Sequence, residues 1–246
     1  MIELNKIYNE NCLKTMQRIP NDSVNLIITS PPYNKNFYTK NDKVSKHDTA
    51  TFRKIEYDTY NDNLQPELYI SWQKKVLKEC CRILKKDGSI FYNHMDILNN
   101  HLTIHPTFVY DFALKQILVW DKLNTPKLDK SYFFPINEYI FWIKKNIKAK
   151  NKFYRSICAF KKSVIKLPCD KKNTHPAPFP LQLANNFILS CTDKNDIVYD
   201  PFMGSGTTAI ASIINGRNYI GSEISENYYS QSNKRILEAE SQKTLF

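Results

Sequence analysis

The run Ile197-Val198-Tyr199-Asp200-Pro201-Phe202-Met203-Gly204-Ser205-Gly206-Thr207-Thr208-Ala209 constrains the fold more than any other part of the chain. A short apolar stretch ahead of a glycine pair that opens a helical pattern reads as strand, tight turn and helix. That is the repeating unit of an open α/β sheet. Four of the chain's five glycines lie from Gly204 onward, at Gly204, Gly206, Gly216 and Gly221, so each marks a place where a side chain does not fit. A helix from about Thr207 to Asn215 closed by Gly216, a strand at Asn218 to Ile220 and a last helix capped by Ser225 complete this half.

Upstream, Leu26-Ile27-Ile28-Thr29 is a buried strand stopped by Ser30-Pro31-Pro32, since neither proline can donate to a ladder. Residues 34–64 are polar and aperiodic and read as a long mobile loop. A helix follows from about Pro66 to Lys86, with Leu68, Trp72, Val76 and Cys80 at four-residue spacing and Gly88 after it. Ser89 to Tyr92, Ile117 to Trp120 and Tyr139 to Ile143 read as strands, Ile97 to Lys115 as a mixed helical segment and Phe179 to Ser190 as a helix. Strand alternating with helix predicts a doubly wound, mostly parallel sheet covered on both faces.

The 246 residues fit one such domain, and no apolar run approaches the ~18 residues of a membrane span. Met1 to Cys12 carries charge and amide groups where an export signal needs an apolar stretch, so a cytoplasmic location is expected. The six cysteines form no C-x-x-C pair, and His101 and His105 are followed at once by Pro106, so no metal site is expected.

The formal net charge of +11 is concentrated: residues 121–172 hold 14 basic residues against four acidic ones. That stretch interleaves Tyr132, Phe133, Phe134, Tyr139, Trp142 and Phe160, a composition suited to phosphates and stacked bases. Ile140, Phe141 and Ile143 read as core instead.

Two motifs carry chemistry. In the first, Gly204 and Gly206 permit close approach to a ligand, the following helix offers free N–H groups, and Glu223 ends the next strand where a carboxylate can meet ribose hydroxyls. Together these describe a nucleoside-containing cofactor. The short remainder after Glu223 argues against a dinucleotide fold. In the second, Thr29-Ser30-Pro31-Pro32-Tyr33-Asn34, two prolines fix the backbone, Ser30 adds an acceptor and Tyr33 presents a flat ring. Such a cluster suits an exocyclic amine on a planar base.

The pair Ser30-Pro31-Pro32-Tyr33 and Asp200 to Thr208 resembles the amino-directed DNA methyltransferases, which use S-adenosylmethionine to methylate cytosine N4 or adenine N6. Catalytic motif before cofactor motif is similar to the β group of that family, a circular permutation. The resemblance implies a seven-stranded doubly wound sheet in three parts: a catalytic half at 1–120, a variable basic target-recognition insertion at 121–172 and a cofactor-binding half at 173–246. It places Ser30, Pro31, Pro32 and Tyr33 at the reaction centre, Tyr33 stacking on the base. Asp200 opens the cofactor loop, and Phe202, Met203, Gly204, Ser205 and Gly206 wrap the cofactor. Thr207 and Thr208 meet its carboxylate, and Glu223 with Ile224 takes the ribose. Asn11 and Cys12 lie near the adenine, and His175 and Pro176 line the methionine end. Glu10-Asn11 departs from the family's usual Gly-Asp, which loosens that assignment.

Ser at the first motif position implies cytosine N4, and Asp or Asn there adenine N6. The partner implied is double-stranded DNA with its target base flipped from the stack. A cognate restriction endonuclease and a second copy of the chain are left open as partners. Pro168-Cys169 matches the nucleophile of cytosine-C5 enzymes but lies in the wrong order relative to Phe202, so Cys169 reads as structural. An RNA methyltransferase and a catalytically silent DNA-binding module remain as rival readings.

Overall fold

The computed structural model describes residues 2–34, 64–99, 101–123, 136–148, 152–154, 158–169 and 179–243. In chain order its elements are β1 (Lys6–Tyr8), α1 (Cys12–Gln17), β2 (Val24–Thr29), α2 (Pro66–Ile83), β3 (Leu84–His94), β4 (Ile97–Asn99) and β5 (His101–Ile104). A 3-10 turn (Pro106–Asp111) leads to β6 (Ala113–Asp121), β7 (Asn137–Lys144) and β8 (Val164–Lys166). The chain ends with α3 (Leu181–Cys191), β9 (Ile197–Asp200), α4 (Thr207–Ile214), β10 (Asn218–Ser222) and α5 (Glu226–Lys243).

Eight strands form one sheet in the order β1-β10-β9-β2-β3-β7-β6-β8, against the seven expected. The sheet is mostly parallel, and β7 alone runs against both its neighbours. Alternation along the strands sorts the core onto two faces. Ile27, Ile90, Tyr92 and Tyr199 pack under α1 and α2, while Leu26, Ile28, Phe91 and Val198 pack under α3. Phe91 stacks on Phe187 of α3 at 3.9 Å between ring centres.

Three local expectations are corrected. The helix from Pro66 ends at Ile83, and its buried face is Tyr69, Gln73, Val76, Leu77 and Cys80, whereas Leu68 is exposed. The stretch from Ile97 to Lys115, expected as helical, is a β4–β5 hairpin, the 3-10 turn and the start of β6. Gly88 does not end the helix; it lies within β3, where an added Cβ would meet the Asn25 carbonyl at 2.8 Å and the Leu84 side chain at 2.8 Å. Gly88→Ala is therefore expected to cost about 2 kcal/mol through backbone displacement. A thermal melt should show Tm lower by roughly 4–8 °C; an unchanged Tm would contradict this close approach.

Residues 121–172, expected as one insertion, contain β7 and β8. Ile140, Phe141 and Ile143 are core as expected. Part of the basic excess is internal: Lys144 is buried, Lys145 bonds Asp22 and the Arg82 and Leu84 carbonyls, and Lys152 pairs with Asp193 and Asp196. Tyr132, Phe133 and Phe134 lie outside the described residues, as does nearly all of the expected loop at 34–64. The ends of that loop are tied together by Asn34, whose side chain accepts from Leu64 N–H and donates to Leu64 C=O, both at 2.7 Å.

Candidate active site

Strand β2 pairs with β9 in parallel, Leu26 opposite Val198 and Ile27 opposite Tyr199. From this pair the chain proceeds outward in opposite directions, β9 to β10 and β2 to β3. Such a switch point leaves a crevice beyond the carboxyl ends of the two strands. Here those ends run into Pro201 and Ser30, so the topology brings both chemical motifs together.

A cavity of about 220 Å³ occupies that crevice. Ser30 and Pro32 line it from one side; Phe202, Gly204 and Glu223 line it from the other. Asn11 and Cys12 at the start of α1, Ile224 after β10 and Tyr228 of α5 also contribute. Wall residues not anticipated in this role include Glu10, Tyr228, and Trp72 of α2, whose ring meets Phe202 edge-on at 5.6 Å.

The cofactor loop is held by its own backbone and by two carboxylates. Gly204 and Gly206 adopt φ of 52° and 83°, left-handed values that side-chain-bearing residues adopt only with strain. Glu223 accepts from Gly204 N–H at 2.8 Å through Oε2 and from Ser225 N–H at 2.9 Å through Oε1. Its carboxylate is thus oriented by two fixed donors while facing the cavity. Glu10 is held in turn by Arg18, Lys14 and the Thr15 hydroxyl, and Asn11 caps α1 by accepting from Leu13 N–H at 2.9 Å.

Asp200 sits beneath the loop, not in the cavity wall. It accepts from the Thr29 hydroxyl at 2.9 Å, Phe202 N–H at 3.0 Å and the Thr208 hydroxyl at 2.7 Å, joining the two motifs from below. The Thr208 hydroxyl is therefore committed to Asp200 instead of meeting a ligand carboxylate. Met203, Ser205, Gly206 and Thr207 are likewise buried supports outside the cavity lining. His175 and Pro176 lie outside the described residues.

Complete burial pushes the Asp200 carboxyl up from 3.8 to about 6, while the bonds from Thr208, Phe202 N–H and Thr29 pull it down. The native state then binds a proton more tightly than the unfolded chain, so this group's contribution falls as pH rises from about 4 to about 6. Two pK units correspond to about 3 kcal/mol. Asp200→Asn removes the titration, and the stability difference between native and variant protein, read by denaturant unfolding, should decline by that amount over this window and stay flat above it. A difference independent of pH would contradict the assignment.

On the catalytic side, Pro31 is buried and Ser30 is partly exposed toward the cavity. The Pro32 carbonyl accepts from the Tyr69 hydroxyl at 2.9 Å, and that hydroxyl also meets His94 Nε2 at 2.7 Å. Tyr33, expected as an open plate for a base, is only 4% exposed, its ring tilted against His94 at 4.9 Å. Its hydroxyl lies 2.6 Å from Ser30 Oγ and donates to Glu138 Oε2 at 3.0 Å. Asn93, Glu138 and Lys122 complete a polar cluster that sequence reading did not find.

A family model for DNA methylase, N6_N4_Mtase, matches residues 24–234. The type II methyltransferase M.HinfI of Haemophilus influenzae is 31% identical, over 96% of this chain and 69% of its own length. The DNA adenine methyltransferase YhdJ of Escherichia coli (strain K12) is 27% identical, over 95% of this chain and 83% of its own. Among solved structures, PvuII DNA methyltransferase (cytosine-N4-specific) shares the fold with a TM-score of 0.72 at 19% identity, covering 97% of this chain and 92% of that one. The M1.HpyAVI–SAM complex aligns with a TM-score of 0.61 at 25% identity, covering 94% of this chain and 98% of that one. A family model spanning most of the chain, joined to a relative above 30% identity along nearly all of it, shows that this chain belongs to the N6/N4 DNA methylase family.

Proposed function

We propose that the protein transfers a methyl group from S-adenosylmethionine to the exocyclic N4 of cytosine in duplex DNA, as the modification half of a type II restriction–modification system. The observation that carries this reading is the shared cavity: Ser30 and Pro32 face the same space as Gly204 and Glu223. The residues present fit the donor, with a backbone-oriented carboxylate suited to ribose hydroxyls, aromatic rings of Phe202 and Trp72, and glycine backbone that admits close contact.

When bound, the donor supplies an electrophilic methyl group on a positively charged sulfur. The protein has to make the base amine nucleophilic, because the nitrogen lone pair is delocalised into the ring. An amine N–H bonded to Ser30 Oγ and to the Pro31 carbonyl localises that lone pair. Pre-placed acceptors and a fixed approach supply the acceleration. The Pro32 carbonyl is already engaged by Tyr69, which holds the motif's backbone in place. The target base has to leave the duplex stack to enter.

Serine accepts a hydrogen bond without taking a full negative charge, which suits cytosine by the family pattern. The adenine activity named for the Escherichia coli relative favours N6 of adenine as the second reading. Incubation with labelled donor and mixed-sequence duplex DNA, followed by nucleoside digestion and mass analysis, decides between them. N4-methylcytosine is expected; N6-methyladenine would move the reading to adenine. Label in RNA alone would overturn DNA as substrate.

A further inference from the structure

We propose that Glu138 fixes the direction of the hydrogen-bond chain behind Ser30, so that the pocket selects a base bearing an exocyclic amine and rejects its carbonyl counterpart. The inference rests on Ser30 as the amine contact. Glu138 enters from β7, 105 residues beyond Tyr33, and is only 7% exposed. Its Oε1 takes the Lys122 ammonium at 3.0 Å, and its Oε2 takes the Tyr33 hydroxyl at 3.0 Å and Asn93 Nδ2 at 2.6 Å.

A carboxylate only accepts, and a phenol has one hydrogen. Tyr33 spends that hydrogen on Glu138, so in the 2.6 Å contact with Ser30 the serine has to be the donor. Asn93 Nδ2 also donates to the Tyr33 oxygen at 2.7 Å and approaches Ser30 Oγ at 3.4 Å. The reverse amide orientation would set the Asn93 oxygen against the carboxylate. The Ser30 and Tyr33 hydroxyls therefore both point toward Glu138, and Ser30 Oγ turns only lone pairs to the cavity. An amine N–H satisfies them; a carbonyl oxygen meets acceptor against acceptor.

Glu138→Gln tests the direction without changing shape. Lys122, a donor only, draws the glutamine oxygen to its side and leaves the amide nitrogen facing Tyr33. Asn93 Oδ1 is buried without a hydrogen-bond partner, so that amide can rotate to set its oxygen against the glutamine nitrogen, giving up the bonds that Nδ2 makes there. The chain then has no fixed direction.

The readout is equilibrium binding, without cofactor, to duplexes carrying the site mapped by wild-type methylation. The target position holds cytosine or uracil, or adenine or hypoxanthine if adenine is the product, each opposite an abasic position so that pairing energies do not differ. Wild-type protein should prefer the amine base by about tenfold or more, and Glu138→Gln should bring the ratio to within about threefold of one. A merely structural role would weaken both duplexes alike and leave the ratio untouched, which would overturn the proposal. If Glu138→Gln does not fold, Tyr33→Phe cuts the chain while keeping the carboxylate; loss of the preference supports the proposal, and retention overturns it. Absence of any DNA methylation by wild-type protein would sink the proposed function itself. An unchanged ratio in a methylating protein sinks only the role of Glu138.

Discussion

Ser30→Ala is expected to slow methyl transfer by roughly 10²–10³-fold while donor affinity changes by less than about threefold. Ser30 lines the cavity beside Pro32, and the groups that grip the cofactor loop belong to other residues, Glu223 and the Gly204 and Gly206 backbone. Removing the hydroxyl deletes an acceptor for the amine without disturbing those groups. Tyr33 keeps its bond to Glu138, so the polar cluster survives. Single-turnover rates measured beside calorimetric donor binding separate the two effects. A rate within tenfold of wild type would remove Ser30 from the chemistry, and a parallel loss of donor binding would assign it to structure instead.

What was legible in the sequence follows from how local each signal is. The β2 and β9 strands and the turns after them are set by adjacent residues, namely apolar runs, prolines that stop a ladder and glycines at positive φ. Their adjacency is a matter of sheet order, which no local signal carries; the structure pairs them directly. The face of α2 was misread at its start, where Leu68 is exposed and Tyr69 is buried, while Val76 and Cys80 of the expected row are buried. Trp72, a member of the expected row, is partly buried and closes the cavity against Phe202.

Short apolar runs do not distinguish helix from strand, and the Ile97–Lys115 stretch shows the cost, since its hairpin depends on pairing that periodicity does not encode. Charge misled in a similar way. Lys145 and Lys152 look like polyanion contacts in a list of basic residues, yet they tie the loops after β7 to Asp22, Asp193 and Asp196. The Asn93–Glu138–Lys122 cluster was invisible for a third reason. Its members sit on or beside strands read only for their apolar neighbours, and Asn93 and Glu138 meet Ser30 and Tyr33 across dozens of residues of chain.

The same long-range logic makes Glu223 the most consequential residue on the cofactor side. Glu223→Ala is expected to weaken S-adenosylmethionine binding by about 100-fold or more. The carboxylate links two segments, taking Gly204 N–H through one oxygen and Ser225 N–H through the other, so it positions the glycine loop and the start of α5 at once. Hydrogen bonds to a charged group contribute about 1.5–3 kcal/mol each, and a ribose offers two hydroxyls. Losing both bonds accounts for the predicted drop. Glu223→Gln keeps the shape but turns an amide toward one of the two backbone donors, so an intermediate loss of about tenfold is expected. Calorimetric titration of each variant, with a thermal melt to show that the fold persists, gives the test. Donor affinity within about fivefold of wild type in a folded Glu223→Ala protein would remove the ribose contact from this carboxylate and leave it a role only in shaping the loop.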